Sequence, residues 1–541
     1  MNRDRKTYST CARWMLLGLL ASCAAVDDSD PSASAPEAET GAGLAARSDA
    51  TFALTGEGII RGIQTASTRE FRGIPYAAAP VGPLRWKPPQ RAQRRSGVLD
   101  ATAFANHCPQ PAGFFGLATT TEDCLFLNVY TPRGGLGLKP VMVWIHGGAL
   151  VTGESNDYGA TRLVEQGDVI VVTINYRLGT LGFMAHPALT AESPDHASGN
   201  YGLMDQQEAL RWVQRNILLF GGDPFRVTIF GESAGGLSVH SQLAAPSSRG
   251  LFQRAIVESG AYQLTQPTLA TAEARGTAFA TRAGCADQSA ACLRSLTVDQ
   301  ILASQAVGIG GESPTIDNKF LTQSVITAFT SGQFNHVPVL EGANHDEWRL
   351  FVGLTDLVTG PTSAAAYGPA IAATLGIPAA AVPLFIQQYP LTSFASPDLA
   401  LAALGTDAAF ACNARLSVQR LSQFVPTFAY EFNDPNAPQR FVPPAPFPYA
   451  AAHASEIQYV FDLPITVPAP ALDANQRKLA DAMVAYWTTF ARTGQPSSFQ
   501  TPLWSKFDTA RDTVQALVPP TPRPEAGFAA DHKCAFWDSL R

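Results

Sequence analysis

The chain has 541 residues, of which 46% are hydrophobic and 15% are charged. This composition is typical of a globular protein and excludes a disordered one, and the length is enough for one large α/β domain or two ordinary ones. The net charge of −7 at pH 7 gives no basis for nucleic-acid binding, and no apolar run reaches the length of a transmembrane helix.

The first 50 residues have the pattern of a targeting segment followed by a linker. Basic residues precede an apolar stretch over 14–21, which is too short to span a bilayer. It ends in Leu-Ala-Ser-Cys at Cys23, which resembles a bacterial lipobox. We predict a lipoprotein-type signal peptide over 1–22, membrane tethering through a lipidated Cys23 and a flexible linker over 23–50. The alternative is an ordinary secretory signal cut nearby. Both predict export, as an outer-membrane or cell-surface lipoprotein or as a periplasmic or secreted protein.

Six cysteines follow the targeting segment, so they can pair completely. Export makes disulfides chemically permissible, although the sequence alone leaves their connectivity open. Neither a C-x-x-C pattern nor a Cys/His cluster is present, so the sequence gives little support for a metal site. Short loops suggest two pairs and leave a third: Cys108–Cys124, Cys285–Cys292 and Cys412–Cys534.

From residue 51 onward, buried-strand patterns alternate with helix patterns. Helices are predicted from a capping pattern at Asp205, over much of the Ala- and Leu-rich stretch 350–425, and from Asp473 to near Gly494. The alternation predicts a largely parallel sheet covered on both faces, with 350–425 as an insertion over one end of it. Apolar runs predict six strands at 141–145, 168–174, 227–230, 254–259, 337–341 and 427–432.

The strand predicted over 227–230 runs into the pattern G-x-S-x-G at 231–235, which occurs once in the chain. A serine on so tight a strand-to-helix turn needs small neighbours because its backbone is strained. The turn lifts the Ser233 hydroxyl above the sheet and opens backbone N–H groups toward an anion. A glycine-rich turn with a solvated serine is the alternative unless a base, an acid and an oxyanion site are found.

Two histidines come late enough in the chain to act as the base, because α/β-hydrolases order the triad as serine, acid and histidine. These are His453 and His532. His532 is two residues before Cys534, in a segment that a disulfide would constrain. His453, in a loop after the strand predicted over 427–432, is therefore the better candidate.

A pair of carboxylates follows the strand predicted over 337–341. Asp346 and Glu347 would lie at the carboxyl end of that strand, where such sheets place their sites. Residue types alone do not decide between them, and a surface salt bridge is the alternative role for either.

A second glycine-rich turn follows the strand predicted over 141–145. It offers backbone N–H donors from Gly148 and Ala149, and Ala234 after the serine offers another. Each such donor is typically worth about 2.7–4 kcal/mol at the transition state. We therefore predict an oxyanion hole from these three residues.

Taken together, these residues resemble the type-B carboxylesterase/cholinesterase family of α/β-hydrolases over most of the chain after residue 50. The resemblance implies an α/β fold of the α/β-hydrolase kind, with a large, mostly parallel central sheet, helices on both faces and helical insertions over the active site. The catalytic domain would span 51–541. The matching stretches are FRGIPY (71–76), EDCLFLNVY (122–130), WIHGG (144–148), NYRLG (175–179), GNYGLMDQ (199–206), FGGDP (220–224) and FGESAGG (230–236).

The resemblance also implies roles for individual residues. It makes Glu347 the triad acid, supports His453 as the base and agrees with the oxyanion donors Gly148, Ala149 and Ala234. It agrees with the three cysteine pairs above and implies no cofactor. It further implies a core ion pair between Arg85 and Glu122.

Four departures from the family pattern bear on the pocket. Alanine replaces the usual third glycine of the oxyanion loop at Ala149 and the glycine after the histidine at Ala454. Trp348 replaces the glycine usual after the acid. A backbone donor survives at Ala149 if the local φ tolerates a Cβ. The loop between Cys108 and Cys124 has no tryptophan, which argues against a choline-ester site.

The sequence therefore predicts an exported bacterial carboxylesterase, a serine hydrolase that cleaves small-molecule esters through an acyl-enzyme without a metal or cofactor. One alternative is a non-catalytic binding or adhesion module, which an intact Ser233, Glu347 and His453 oppose. Another is acyl transfer to an alcohol in place of water. The natural ester and the oligomeric state are left open.

Overall fold

The computed structural model describes residues 49–113, 116–305, 311–464 and 467–541. The predicted signal peptide (1–22), Cys23 and all but the last two residues of the predicted linker lie outside these ranges. The first strand begins at Asp49. The chain from Ser48 to Arg541 forms one compact unit.

In the described residues, thirteen strands form one mixed sheet. Its order is β1-β2-β3-β5-β7-β6-β8-β9-β10-β11-β12-β13, with β4 beside β2. From β7 to β12 in this order, each strand pairs with the next in parallel, and β4 pairs with β2 in parallel. The other pairs are antiparallel. The strands are β1 (Asp49–Thr55), β2 (Gly58–Gln64), β3 (Thr68–Pro75), β4 (Leu99–Asp100), β5 (Phe126–Pro132), β6 (Lys139–Ile145), β7 (Ile170–Ile174), β8 (Gly222–Glu232), β9 (Arg254–Glu258), β10 (Val339–Asn344), β11 (Thr427–Phe432), β12 (Val514–Leu517) and β13 (Arg523–Glu525).

Helices lie in many of the connections between these strands. A π-helical turn, Thr406–Ala411, joins the helices Pro397–Gly405 and Cys412–Leu421. The helices are α1 (Thr161–Gly167), α2 (Gly179–Phe183), α3 (Pro187–Glu192), α4 (Tyr201–Asn216), α5 (Ala234–Ala244), α6 (Leu269–Arg282), α7 (Ala290–Ser295), α8 (Val298–Ser304), α9 (Val325–Ser331), α10 (Arg349–Thr359), α11 (Tyr367–Leu375), α12 (Val382–Gln388), α13 (Pro397–Gly405), α14 (Cys412–Leu421), α15 (Ala474–Thr493), α16 (Phe528–Asp531) and α17 (Cys534–Asp538).

The central strand β6 shows how helices cover both faces of the sheet. Val141, Val143 and Ile145 belong to an apolar core with α4 and α5, whereas Met142 and Trp144 belong to a second core with α1 and α15. All five side chains are 0% exposed. Because successive side chains of a strand point to opposite faces, a strand covered on both sides must be apolar throughout.

The two helix starts predicted from capping patterns have different outcomes. At Asp473 the capping box is confirmed: its side chain accepts from the Gln476 N–H, and the Gln476 side chain accepts from the Asp473 N–H, each at 2.8 Å. At Asp205 the prediction is wrong, because α4 begins a turn earlier, at Tyr201. Asp205 is buried inside the helix and accepts from the Arg177 guanidinium at 2.7 Å twice, so its charge serves an ion pair and not a cap.

The region predicted as a helical insertion contains helices α10 to α14. It shares an apolar core with the C-terminal α17, including Ile371, Phe385 and Trp537. No single described helix is long and apolar enough to cross a membrane, although the bent pair Tyr367–Leu375 and Ala379–Ser393 would be by length and composition.

Cross-links and an ion pair fix the loops around this framework. The Arg85 Nε donates to Glu122 at 2.8 Å, as the resemblance implies. Three disulfides join the predicted partners, with Cα–Cα distances within the usual range. They are Cys108–Cys124 at 4.9 Å, Cys285–Cys292 at 5.7 Å and Cys412–Cys534 at 5.2 Å.

His532, the alternative candidate for the base, is held by two carboxylates. It is buried, and its Nδ1 and Nε2 donate to Asp407 and Glu431, each at 2.6 Å. Burial alone would lower the pKa of His532, but the two carboxylates outweigh it and raise the pKa to about 9. Both nitrogens therefore hold protons that tie the C-terminal segment to β11 and to the π-helical turn.

We predict that His532 stabilises the fold in a pH-dependent way. A folded-state pKa above the unfolded value of about 6.5 means that this stability is fully present below about pH 6.5 and lost as the pH rises through about 9. His532→Gln should therefore lower the melting temperature more at pH 6 than at pH 9.5. Substituting the exposed His336 in the same way is the control, and a deficit of equal size at both pH values would contradict the prediction.

Candidate active site

Ser233 occupies a strained turn between β8 and α5. Its backbone has φ +54° and ψ −119°, and its N–H donates to the Glu258 carbonyl at 2.9 Å. A Cβ on Gly231 or Gly235 would lie 2.5 Å or 1.9 Å from the carbonyl oxygen of Ile145. Only glycine fits at those positions, so the flanking residues of the motif allow the turn to press against β6. The Ser233 side chain remains partly exposed in otherwise buried surroundings.

The turn after β6 lies directly against this elbow. A Cβ on Gly147 would be 3.2 Å from the Ser233 Cβ, and one on Gly148 would be 2.2 Å from the Thr152 carbonyl oxygen. The Ala149 backbone has φ +55°, a left-handed conformation that costs a residue with a Cβ roughly 1–2 kcal/mol. The position tolerates alanine, but with strain that a glycine would avoid.

The predicted oxyanion donors have no competing acceptor among the described residues. In the described part of the chain, the N–H groups of Gly148, Ala149 and Ala234 donate no hydrogen bond to another protein atom. Gly148 and Ala149 are partly exposed, whereas Ala234 is buried at the start of α5. The three groups can therefore donate to a substrate oxygen that enters beside Ser233.

Glu347 and His453 are in direct contact. The His453 Nδ1 and the Glu347 Oε2 are 2.5 Å apart, and both side chains are buried. The Asn344 N–H donates to the other carboxylate oxygen of Glu347 at 2.8 Å, which fixes its orientation. Asp346, the other candidate, instead pairs with Arg349 at 2.8 Å. The geometry therefore distinguishes Glu347, which contacts His453, from Asp346, which does not; the residue types alone left this choice open.

The opposite nitrogen of the His453 ring faces a second carboxylate. His453 Nε2 is 3.2 Å from the Glu232 Oε1, whereas Ser233 Oγ makes no hydrogen bond to any described residue. Contacts between a nucleophile and its base often close only when substrate binds, so this geometry does not oppose their pairing. Glu232 is the residue immediately before the serine in the motif, at a position that the motif leaves variable. Nothing in the sequence indicated that it would contact His453.

Burial shifts the pKa values of this cluster. Burial alone would lower the pKa of His453, but Glu232 and Glu347 outweigh it and raise the pKa to about 9. Burial raises the pKa of Glu258 to about 8 and that of Glu456 to about 7. At pH 7 the site therefore keeps a proton on the Glu258 carboxyl group, which would be ionised in water. It also keeps a second proton on the His453 ring, which would be mostly neutral in water.

Two aromatic side chains that sequence reasoning did not assign lie against the His453 ring. The ring centroids of Phe351 and Phe410 are 5.1 Å and 5.0 Å from that of His453. Trp348 lies 4.7 Å from Phe351. Phe351 lies at the start of the predicted insertion and Phe410 in its second half, so their meeting depends on its tertiary packing.

One group of described residues has ligand atoms close enough for a metal ion. His345, Asp531 and His532 place such atoms within 4.8 Å of one another. Each histidine nitrogen already contacts a carboxylate, however: His345 meets Asp346 at 3.3 Å and Asp531 at 3.1 Å, and His532 is paired as described above. Protons already occupy these positions, so the group is an ion-pair network.

Comparison with known proteins gives a consistent result. A sequence model described as the Carboxylesterase family matches residues 49–537. Acylcarnitine hydrolase of Mus musculus is 36% identical over 482 residues, or 84% of each chain. Fumonisin B1 esterase of Sphingopyxis macrogoltabida is 35% identical and covers 84% of each chain. Para-nitrobenzyl esterase of Bacillus subtilis (strain 168) is 35% identical over 82% of this chain and 89% of its own.

The match and the large mixed sheet with helices on both faces confirm the α/β-hydrolase fold and the prediction of a serine hydrolase that cleaves carboxylic esters. They oppose the alternative of a non-catalytic binding module. The chain belongs to the carboxylesterase family.

Proposed function

We propose that Ser233, His453 and Glu347 carry out ester hydrolysis in two steps. The Ser233 Oγ attacks the ester carbonyl carbon while His453 takes its proton, and the N–H groups of Gly148, Ala149 and Ala234 donate to the oxyanion. The bond to the alcohol oxygen then breaks, and His453 returns the proton to the leaving alcohol. Water attacks the acyl-enzyme with His453 again as base and releases the carboxylate.

The contact between Glu347 and His453 carries this proposal. A buried carboxylate at Nδ1 fixes the tautomer that leaves Nε2 free to accept a proton, and it stabilises the imidazolium that forms. The Asn344 N–H holds Glu347 in place through the oxygen that His453 does not use. The two side chains are 106 positions apart in the chain, so this pairing is specific to the folded state.

We further propose general carboxylesterase activity without choline-ester specialisation. The names of the relatives identify hydrolases of three different substrates: acylcarnitine, fumonisin B1 and para-nitrobenzyl esters. Family membership therefore leaves the natural ester open. An ester panel that varies acyl length and alcohol bulk would define it.

We expect Ser233→Ala to reduce kcat for short p-nitrophenyl esters by at least about 10³-fold with little change in melting temperature. The change removes the nucleophile but keeps the turn and its N–H groups. Ser241→Ala is a matched control on the following helix, because its hydroxyl donates only to the Leu237 carbonyl, and it should retain activity. Substantial hydrolysis by Ser233→Ala would disprove the role of Ser233.

The charge of Glu232 should set the pH at which the base becomes active. His453 must lose its proton to act as base, so kcat/KM should rise with pH through the raised pKa of His453. Burial raises the pKa of Glu232 and the adjacent His453 lowers it, so the two groups titrate together. Glu232→Gln removes the carboxyl group 3.2 Å from Nε2 and should move this acid limb to lower pH by about one unit or more. Glu525→Gln, on β13 and with a side chain 40% exposed, should leave the acid limb in place. An unchanged limb in Glu232→Gln would refute the electrostatic role.

We also propose export, with a signal peptide over 1–22, a linker over 23–50 and a membrane tether on Cys23. The three disulfides support this because they are stable in oxidising compartments. Cell fractionation should find the full-length protein with membranes and the Cys23→Ser variant in a soluble fraction. Cys11→Ser is the control within the signal segment and should stay with membranes. Retention of Cys23→Ser in the membrane fraction would exclude the tether.

A further inference from the structure

Three aromatic side chains form a continuous surface beside His453, which we call the aromatic wall: Trp348, Phe351 and Phe410. The rings of Phe351 and Phe410 are nearly parallel, at 11°, with centroids 6.0 Å apart. Trp348 is 4.7 Å from Phe351 and 6.1 Å from Phe410. Phe351 and Phe410 each contact the His453 ring, so the wall adjoins the base.

The position of Trp348 depends on a matched glycine. A Cβ on Gly405, at the end of α13, would lie 2.2 Å from the Cγ of Trp348, so the indole occupies the space that a side chain there would take. The next residue, Thr406, accepts the Trp348 N–H on its hydroxyl at 2.9 Å. Thr406 begins the π-helical turn that also carries Phe410. The backbone thus holds Trp348 and Phe410 in a fixed relation.

The wall has apolar surface available to a ligand. Phe410 is 2% exposed and supports the other two rings from behind, whereas Trp348 and Phe351 are partly exposed. The charged neighbours of Trp348 are already paired: Glu347 with His453, and Arg349 with Asp346. A substrate group beside His453 therefore meets flat, uncharged rings.

We propose that the aromatic wall is a subsite for a planar aromatic group of the ester, and that Trp348 sets the preference for such a group over a saturated ring of similar size. This rests on the proposed roles of Ser233 and His453. Stacked or edge-on aromatic pairs gain energy beyond the burial of apolar area, which amounts to about 2- to 10-fold in kcat/KM. A cyclohexyl ring buries similar area but lacks this contribution.

The test compares esters that carry a phenyl or a cyclohexyl ring one carbon away from the ester group, so that the ring is not conjugated with the carbonyl. The acyl arm pairs vinyl phenylacetate with vinyl cyclohexylacetate, and the alcohol arm pairs benzyl acetate with cyclohexylmethyl acetate. The wild-type protein should prefer the aromatic member by about 2- to 10-fold in the arm whose ring contacts the wall. Trp348→Leu should bring that ratio close to one, and Trp348→Phe should keep most of it.

Gly405→Ala tests the same contact without changing the tryptophan. Its Cβ should displace the indole and lower the aromatic preference as Trp348→Leu does. The double variant Gly405→Ala/Trp348→Leu should show no further loss of preference, because both changes act on one contact. Phe424→Leu is the control: its ring packs against Phe334 and His336, and the ratio should not change.

Two results would overturn the proposal. The first is a wild-type protein without aromatic preference in either arm. The second is a Trp348→Leu variant that keeps the wild-type ratio or accelerates both members of a pair equally, which would mean that the indole only fills space. Either result, together with an inactive Ser233→Ala, would leave the proposed function standing, whereas an active Ser233→Ala would reject that function itself.

Discussion

The approach of α5 to the end of β6 places most of the active site. At Gly235 a Cβ would be 1.9 Å from the Ile145 carbonyl oxygen, so the helix start and the strand end meet backbone to backbone. Ser233 is held in a strained conformation two residues before that contact, and the oxyanion turn begins immediately after Ile145. One close packing contact therefore brings the proposed nucleophile and the proposed N–H donors together, and the surrounding core compensates for the strain.

The second organising feature is a buried group of charges around His453. Glu347 fixes one ring nitrogen, Glu232 faces the other, and the phenyl rings of Phe351 and Phe410 exclude water from the sides. Carboxylates in such surroundings interact strongly with the imidazole because the local dielectric is low. In the proposed mechanism, the two carboxylates orient the base and set its proton affinity, and the two rings belong to the proposed aromatic subsite.

The sequence predicted what depends on local pattern and missed what depends on tertiary contact. Long apolar runs located the six parallel strands β6 to β11, and β11 coincides with its predicted range because both faces are buried along its whole length. They did not locate the start of β8, which is at Gly222, or the parallel strand β12. The start of α4 was misplaced because Asp205 can serve as a cap or as an ion-pair partner, and only Arg177 decides between them. No local sequence pattern indicates that Glu232 contacts His453. Nor does any such pattern indicate that Phe351 and Phe410, which are far apart in the chain, lie side by side.

The central claim is that Ser233 is the nucleophile activated by His453 and Glu347. Mass spectrometry of the protein after reaction with a fluorophosphonate tests it most directly, because the reagent forms a stable bond with an activated serine. The account predicts one phosphonyl group on the peptide that contains Ser233, with esterase activity lost in proportion to labelling. Complete inactivation with the label on another residue, or full activity after Ser233 is labelled, would contradict it.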